Sequence, residues 1–411
     1  METPSSRGNR RQAKEILIVA GETSGDLHGA RLVEHLRAQC PDLSVYGIGG
    51  DGMERAGVRL GFHASELAVV GLVEVIGRLR TIRRAFRWIR QRLSGEGPDL
   101  VVLIDFPDFN LRVARQAARR GIPVVYYISP QIWAWRRGRI RQIAKHVAHM
   151  IVIFPFEEAL YREHGVPVTY VGHPLLDGFD PGAATDGQEE VYGRLGLTPI
   201  YPVLGLFPGS RTGEVHSLLP VMLGSARRLR ERFPRMQFVL GKGPGLEDEV
   251  YEAILKETDV PVVCTREGIG RAAGICDLAI VASGTATLEL ALIGIPMVVV
   301  YRVSRITYAL GRLLIRVPSI GMVNLVSQKA VVPELIQGDL NEENLYALCY
   351  PFFVHATYRD QVRNELSRVK RMLGEPGASA RAARVIAEIL GRSETVERDQ
   401  GPGIRGRGNG S

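Results

Sequence analysis

The stretch "LVVLIDFPDFNLRVARQAARRGIPVVYYIS", residues 100–129, contains a complete strand–helix–strand unit. The apolar run Leu100–Ile104 is typical of a strand buried on both faces, and a second such run follows at Val124–Ile128. Between them, Leu111–Arg120 has apolar residues at helical spacing. Strands joined through a helix lie parallel in one sheet, so this unit predicts an α/β fold.

The same alternation of strand and helix runs along most of the chain, in two series. It predicts two doubly wound, Rossmann-like domains that face each other across a cleft. The strands predicted for the first series are Ile16–Ala20, Val45–Ile48, Leu100–Ile104, Val124–Ile128, Met150–Phe154 and Thr169–Val171. Those of the second are Val203–Phe207, Gln237–Leu240, Val262–Cys264, Leu278–Val281 and Met297–Tyr301.

Composition sets the domain boundaries, because polar or Gly- and Pro-rich stretches interrupt the apolar pattern. The linker is rich in Gly, Asp, Pro and Thr and is predicted to contain a short helix. Packing of the last helices back on the first domain is left open. We predict a disordered tail (1–14), an N-terminal acceptor- and membrane-facing domain (15–174), a linker (175–202), a C-terminal nucleotide-sugar domain (203–345), C-terminal helices (346–391) and a disordered tail (392–411).

The bulk properties favour an intracellular protein with an anionic partner. The chain has 411 residues and a formal net charge of +8, which suits nucleic acid, phosphate-bearing substrates or acidic lipid surfaces. The first apolar run, Ile16–Ala20, is too short for a signal-peptide core, and no run is long enough to span a bilayer. None of the four cysteines has CxxC spacing, so we expect reduced thiols and no zinc or redox motif.

Two carboxylates follow the strand Leu100–Ile104. Asp105 comes directly after it, where partial desolvation would raise its pKa and make it a usable general base. Asp108 is the second choice for this role, and the alternative for Asp108 or Asn110 is to cap the next helix.

A glycine-rich turn, "AGETSGD", follows the first strand. It matches neither the dinucleotide fingerprint nor a P-loop. Its free N–H groups and the side chains of Glu22, Ser24 and Asp26 could hold an anion or a sugar hydroxyl. The structural alternative is that Asp26 caps a helix.

Two junctions in the second series are candidates for a nucleotide site. In "PGSRTGEV" the loop exposes Gly209, Ser210 and Arg211 at a helix start, where a guanidinium and backbone N–H groups can bind a diphosphate. In "ASGTATLE" a helix begins at Ser283, Gly284 and Thr285, and Glu289 lies one turn inside it. Such a carboxylate can bind the vicinal hydroxyls of a ribose; the alternative is a solvated helical glutamate.

The segment 65–93 combines an apolar turn with clustered arginines between Arg78 and Arg92. This combination is typical of peripheral proteins on acidic bilayers. The alternative is a buried helix with a solvated basic face. The residues predicted to contact acyl chains or the membrane are Val69, Val70, Leu72, Val73 and Ile76.

In combination, these motifs resemble the lipid-A-disaccharide synthases, a glycosyltransferase family of the GT-B fold. The similar stretches cover about residues 15–340 in the family's order, whereas 240–245 does not resemble the family and receives no role. They are "AGETSGD", "LAVVGLVEVIGRL", "IDFPDFN", "YYISPQIWAWRRGR", "FPFE", "VGHPLLD", "PGSRTGEV", "ASGTATLE" and "GMVNLVSQKAVVPELIQ".

The resemblance implies an inverting transfer from UDP-2,3-diacylglucosamine to 2,3-diacylglucosamine 1-phosphate. The products would be a β-1,6-linked disaccharide 1-phosphate and UDP, with no metal or other cofactor. It implies Asp105 as the base and Arg211 with Ser210 and Gly209 on the diphosphate. Glu289 would bind the ribose, and Asn324 would support the diphosphate or uridine. The glycine-rich turn after the first strand (the first loop, with Glu22, Ser24 and Asp26) would face the acceptor. The protein would be cytoplasmic and peripherally bound to the inner membrane; an oligomer is left open.

Other functions are compatible with parts of the pattern. Another GT-B nucleotide-sugar enzyme, such as a lipid-linked GlcNAc transferase or a UDP-GlcNAc 2-epimerase, would share the two junctions of the second series. An epimerase, however, would have no reason for the apolar turn in 65–93. Trp133 and Trp135 beside arginines could stack nucleic-acid bases, but no RRM, KH or helix-turn-helix signature is present. We therefore expect no nucleic-acid partner. A membrane scaffold would leave Arg211 and Glu289 without a function.

Overall fold

A computed structural model of the chain describes residues 14–399, without 68–71, 96, 131, 133–137, 180–186, 244 and 304–318; for 23, 72–79 and 392–399 it describes the backbone alone. The chain divides into two compact units. The first comprises the residues up to Asp177 and those from Glu375 onward, and the second comprises Gly178–Gly374.

The first unit is built on a seven-stranded parallel sheet in the order β3-β2-β1-β4-β5-β6-β7. The central strands are buried on both faces because helices cover both sides of the sheet. The strands are β1 (Glu15–Ala20), β2 (Ser44–Gly49), β3 (Arg59–His63), β4 (Leu100–Ile104), β5 (Val124–Tyr127), β6 (His149–Val152) and β7 (Val168–Tyr170). The helices are α1 (Thr23–Gln39), α2 (Asp51–Arg55), α3 (Ala64–Leu67), α4 (Leu72–Arg92), α5 (Pro107–Ala118), α6 (Arg139–His146) and α7 (Pro155–Glu163).

The second unit has a six-stranded parallel sheet in the order β10-β9-β8-β11-β12-β13. Its strands are β8 (Val203–Phe207), β9 (Gln237–Gly241), β10 (Val262–Thr265), β11 (Leu278–Ala282), β12 (Met297–Tyr301) and β13 (Glu334–Ile336). Its helices are α8 (Gln188–Leu195), α9 (Thr212–Arg232), α10 (Glu249–Leu255), α11 (Gly268–Gly274), α12 (Ala286–Ile293), α13 (Met322–Ser327), α14 (Glu342–Val354) and α15 (Ala356–Met372).

The last helix, α16 (Ala378–Asp399), belongs to the first unit and packs against α1. Its N-terminus is capped by Asp177, whose carboxylate accepts the N–H groups of Gly377 (2.7 Å), Ala378 (2.9 Å) and Ser379 (2.8 Å). The helix continues past residue 391, where the sequence predicts a disordered tail, because the packed turns before it nucleate further helix. The helix α8 lies inside the linker, where the sequence predicts a short helix.

Each sheet has a point where the strand order changes direction, between β1 and β4 in the first unit and between β8 and β11 in the second. In parallel α/β sheets, ligands bind beyond the carboxyl ends of the strands at such points. The loops that follow these four strands are the loops that the sequence analysis singles out.

The arginine-rich helix α4 is packed into the first unit over its described part. Ala85 and Ile89 are fully buried, and the arginines from Arg80 to Arg92 are exposed. This part therefore matches the alternative of a buried helix with a solvated basic face. Val69 and Val70, and the side chains of Leu72, Val73 and Ile76, lie outside the described residues. None of the described helices combines the length and the apolar character that crossing a bilayer requires.

Candidate active site

The turn after β4 is held in an unusual backbone conformation. Asp105 (φ 45°) and Phe106 (φ 48°) both lie in the left-handed region, which is unfavourable for residues other than glycine. The carbonyl oxygen of Asp105 accepts hydrogen bonds from Asn110 Nδ2 (2.7 Å) and from the Tyr126 hydroxyl (2.6 Å). Asn110, fully buried, also donates to the carbonyl of Ile104 (3.1 Å). These bonds offset the backbone strain and fix the direction of the Asp105 side chain.

The Asp105 carboxyl is poised for proton transfer near neutral pH. Burial and, to a lesser extent, the negative charge of Glu22 raise the pKa of Asp105 to about 6, although the N–H of Phe106 opposes the rise. At pH 7 the carboxylate is ionised, yet it holds a proton more tightly than an exposed aspartate does. This combination suits a general base.

Asp108, three residues further on, is in a different environment. Its side chain is 70% exposed and forms an ion pair with Arg139 at the start of α6, whose side chain is only 11% exposed. Asp108 therefore links α5 to α6. Of the two aspartates that the sequence offers as a base, Asp105 is the one next to Glu22 on the first loop.

The first loop packs directly on the Asp105 turn. A side chain at Gly21 would overlap the ring of Phe106, so the glycine is needed for close approach of the two loops. Glu22 precedes the first residue of α1 and is exposed, as is Ser24. The structure thus brings Glu22 and Asp105 together at the carboxyl ends of β1 and β4.

Asp26 has a structural function in this loop. Its carboxylate accepts N–H groups from Gly50 (2.7 Å), Gly52 (2.9 Å) and Met53 (3.0 Å). It thereby closes the turn between β2 and α2 and caps the start of α2. The alternative of a helix cap thus applies to Asp26, but the capped helix is α2 and not α1, which contains Asp26.

In the second unit, Glu214 organises the Gly209–Arg211 loop. Its carboxylate accepts the N–H of Ser210 (3.0 Å) and Nη1 of Arg211 (3.0 Å). Gly209 has a φ of 109°, and a side chain there would overlap this carboxylate. The Arg211 side chain is 63% exposed, so the guanidinium is oriented by Glu214 while most of it faces solvent. Glu214 was not predicted as a site residue, because in the sequence it resembles an ordinary acid in the first turn of a helix.

Within the stretch 240–245, which received no role from the sequence, Gly243 packs directly against the same loop. A side chain at Gly243 would lie 2.7 Å from the carbonyl oxygen of Gly209. The N–H of Gly243 donates to the Tyr251 hydroxyl (2.8 Å), and Lys242 forms an ion pair with Asp248 (2.5 Å).

The turn after β11 presents the second candidate nucleotide group. The Ser283 hydroxyl donates to the carbonyl of Ile320 (3.0 Å), which fixes the turn at Gly284 and Thr285. Glu289 is half-buried in α12, and burial raises its pKa. Within the described part of the chain, its carboxylate has no hydrogen-bond or ion-pair partner, so it is available to a ligand. Since β8 and β11 are neighbours, this turn and the Arg211 loop follow adjacent strands of one sheet.

Asn324 is fully engaged inside the second unit. Its Nδ2 donates to the carbonyl of Val332 (2.8 Å) and to Glu334 (2.6 Å), and its Oδ1 accepts the N–H groups of Val331 (2.7 Å) and Val332 (3.0 Å). An amide has two donors and one acceptor oxygen, so no donor is left for a nucleotide. The structure therefore gives Asn324 a bracing function instead of the direct contact that the resemblance implies. Glu334, which also accepts the N–H of Ile320 (2.8 Å), connects this brace to the Ser283 turn.

The family model for lipid-A-disaccharide synthetase matches residues 16–381. The chain belongs to the lipid-A-disaccharide synthetase family. A "Lipid-A-disaccharide synthase" of Geobacter sulfurreducens is 47% identical over 377 residues, which are 92% of this chain and 97% of the relative. One of Syntrophus aciditrophicus is 46% identical over 93% of this chain and 99% of the relative. The resemblance seen in the motifs is confirmed, and this synthetase is a glycosyltransferase that uses a UDP-sugar donor and a sugar acceptor.

Solved structures confirm the predicted GT-B fold. The calicheamicin glycosyltransferase CalG4 is 17% identical, with a TM-score of 0.59, over 93% of this chain and 98% of that chain. At this identity the similarity concerns the fold alone. The two parallel-sheet units of the synthetase are therefore those of a GT-B glycosyltransferase.

Proposed function

We propose that the chain transfers a diacylglucosamine unit from UDP-2,3-diacylglucosamine to 2,3-diacylglucosamine 1-phosphate, with inversion at the anomeric carbon. Membership of the lipid-A-disaccharide synthetase family supports the reaction class. The acylation of both sugars is part of the proposal. The observation that carries the assignment of roles is the pinned, half-buried Asp105 carboxyl with its raised pKa.

Inversion requires one direct attack by the acceptor hydroxyl, and a base must take its proton as the new bond forms. Asp105 fills this role. Glu22 and Ser24, exposed on the adjoining loop, bind the acceptor sugar. Asp26 acts indirectly, since its carboxylate is committed to the backbone of the neighbouring turn.

The leaving UDP gains negative charge as the glycosidic bond breaks. Arg211, oriented in advance by Glu214, stabilises this charge together with the N–H groups at Gly209 and Ser210. Glu289 accepts hydrogen bonds from the ribose hydroxyls, and the turn Ser283–Thr285 lies beside it at the start of α12. The second unit thus holds the donor.

The test uses the purified chain with both acylated sugars and follows UDP release and disaccharide formation. Removing a general base costs about 10²–10⁴-fold in rate, which we expect for Asp105→Ala. Removing a cation that stabilises the transition state costs about 10²–10³-fold, which we expect for Arg211→Ala. Asp108→Ala is the comparison variant and should lose less than about tenfold. Near-native turnover by Asp105→Ala, or a large loss confined to Asp108→Ala, would reject Asp105 as the base.

We further propose that the chain works on the cytoplasmic face of the inner membrane, and that Val69, Val70, Leu72, Val73 and Ile76 contact the acyl chains. Each CH₂ group that leaves water contributes about 0.8 kcal/mol, so a shallow patch is enough for docking. Leu72→Ser/Val73→Ser/Ile76→Ser should release the protein from sedimenting vesicles without unfolding it. The control is Ile200→Ser, because Ile200 is 80% exposed in the other unit. Full co-sedimentation of the triple variant would contradict the membrane role.

A further inference from the structure

A groove lies between α5 and α6 in the first unit, beside the Asp108–Arg139 ion pair that links the two helices. These two helices pack against each other, and the groove has a volume of about 940 Å³. The polar side chains that line it and carry the argument are Arg112, Arg115, Arg119, Arg139, Gln142 and Lys145.

The groove concentrates positive charge. Among the described residues, five cations line it, and Asp108 is the acid that lines it, already paired with Arg139. Arg112, Arg115 and Arg119 follow one another at spacings of three and four, so they share one face of the helix and its C-terminal end. The opposite face carries the buried core residues Val113 and Ala117. The arginines are therefore directed away from the core by the helical repeat itself.

A neighbouring histidine responds to this charge. Burial lowers the pKa of His146, and the positive charges of Lys145, Arg115 and Arg119 lower it further. Like charges gathered in a concave site repel one another, and an anion bound among them removes that repulsion. Arginine forks and a glutamine amide also match the oxygen geometry of a phosphate group.

The groove begins next to the proposed base. Pro107 and Asp108 line one end of it, and Asp105 is two residues before Pro107. Arg112 comes five residues after Pro107 in α5, which corresponds to about 7.5 Å along the helix axis. In a hexose 1-phosphate that attacks through its 6-hydroxyl, the hydroxymethyl group and the phosphate are carried by C5 and C1, the two carbons that flank the ring oxygen. The phosphate therefore projects to one side of the attacking hydroxyl. An acceptor with its hydroxyl at Asp105 can therefore direct its phosphate into this groove.

We propose that the groove between α5 and α6 is a phosphate subsite that holds the 1-phosphate of the sugar acceptor. This inference rests on the proposed function, since it takes the acceptor from there. The groove makes the enzyme select phosphorylated acceptors, while catalysis itself stays with Asp105 and Arg211.

The kinetic test compares two double variants with the same change of net charge. Arg112→Gln/Arg115→Gln removes two cations from the groove. Arg120→Gln/Arg141→Gln removes two exposed cations at the same helices but outside the groove. The loss of charge-assisted hydrogen bonds should raise the acceptor KM of the groove variant about ten- to a hundredfold. Its donor KM and its kcat should stay within about twofold of the wild-type values, and the control variant should keep the wild-type acceptor KM.

A second acceptor identifies the group that is bound. Diacylglucosamine without its 1-phosphate should be a poor substrate for the wild type, and the groove variant should no longer distinguish the two acceptors. Equal acceptor KM values for the groove variant and the wild type would overturn the proposal, as would an equal rise with both acceptors. A wild type that releases no UDP with either acceptor would refute the proposed function instead. Lys145→Gln, on the other helix, is an independent variant that should give a smaller rise in the same direction.

Membrane headgroups carry the same phosphate chemistry, so a vesicle experiment separates the two sources. Sedimentation with vesicles that contain phosphatidylglycerol, in the absence of sugars, should be the same for the groove variant, the control variant and the wild type. If the groove variant loses vesicle binding but keeps the wild-type KM for detergent-dispersed acceptor, the groove binds headgroups and the proposal is wrong.

Discussion

Replacing Asp105 by asparagine is expected to stabilise the first unit at neutral pH while it abolishes transfer. The pKa of Asp105 is about 6 in the folded chain, against 3.8 for an unperturbed aspartate. Folding therefore favours the protonated carboxyl. This stabilisation is complete below about pH 3.8 and is lost as the pH rises through about 6. Asparagine imitates the neutral carboxyl at every pH and also tolerates the left-handed backbone at this position.

The size of the effect follows from the two pKa values. Their difference is about two units, and each unit corresponds to about 1.36 kcal/mol, so the variant should gain at most about 3 kcal/mol in free energy of unfolding at about pH 7.5. At about pH 4 the wild-type carboxyl is mostly protonated, and the gain should nearly vanish. The hydrogen bonds from Asn110 and Tyr126 go to the backbone carbonyl, so the substitution leaves them intact.

Urea unfolding followed by tryptophan fluorescence measures this effect in the correct unit, because Trp88, Trp133 and Trp135 all precede Asp177. Asp108→Asn is the matched control: its carboxylate is exposed and paired, and we expect no gain from its loss. If Asp105→Asn is less stable than the wild type at about pH 7.5, or gains the same amount at both pH values, the assignment of a strained, desolvated base fails.

Three other outcomes follow from the same contacts. The value of kcat/KM should fall below about pH 6 as Asp105 becomes protonated. Glu22→Gln should move this acid limb of the pH–rate profile to lower pH, because the charge of Glu22 raises the pKa of Asp105. An acid limb at the same pH in the variant would contradict the coupling between the two carboxylates. Gly21→Ala should overlap the Phe106 ring, cost about 1–3 kcal/mol in urea unfolding and lower kcat. Glu289→Gln should raise the KM for the UDP-sugar about tenfold with little change in kcat, measured by initial rates over donor concentration.

The strand pattern predicted most of the fold because buried parallel strands are continuous apolar runs. The two strands that were not predicted are both edge strands. In β3 (Arg59–His63) none of the five residues is fully buried, and β13 (Glu334–Ile336) has three residues with only Leu335 buried. Edge strands need no apolar run, since they are only partly covered. Their pairing is decided by the sheet beside them, which a local pattern does not contain.

The position of the candidate site could be predicted from the order of strands and helices in the sequence, but the residues that support the site could not. Asp105, Arg211 and Glu289 stand directly after strands or at helix starts, where their position alone suggests function. Asn110 and Glu334, in contrast, act through contacts with distant backbone, such as Asn110 with Val19 (3.4 Å) and Glu334 with Ile320. In the sequence, Asn110 resembles a helix cap and Glu334 resembles an ordinary polar residue. Their function becomes visible only when the loops meet.

The two aspartates of "IDFPDFN" show why chemistry is assigned by environment and not by motif. Both are acids within two residues of Pro107, and the residues themselves give no reason to prefer one beyond its nearness to the strand. In the fold, Asp108 is exposed and forms an ion pair with Arg139, so its carboxylate links α5 to α6. Asp105 has instead a desolvated position, the charge of Glu22 and a backbone held at positive φ. A base must accept a proton, so the carboxylate whose charge is destabilised is the one suited to do it.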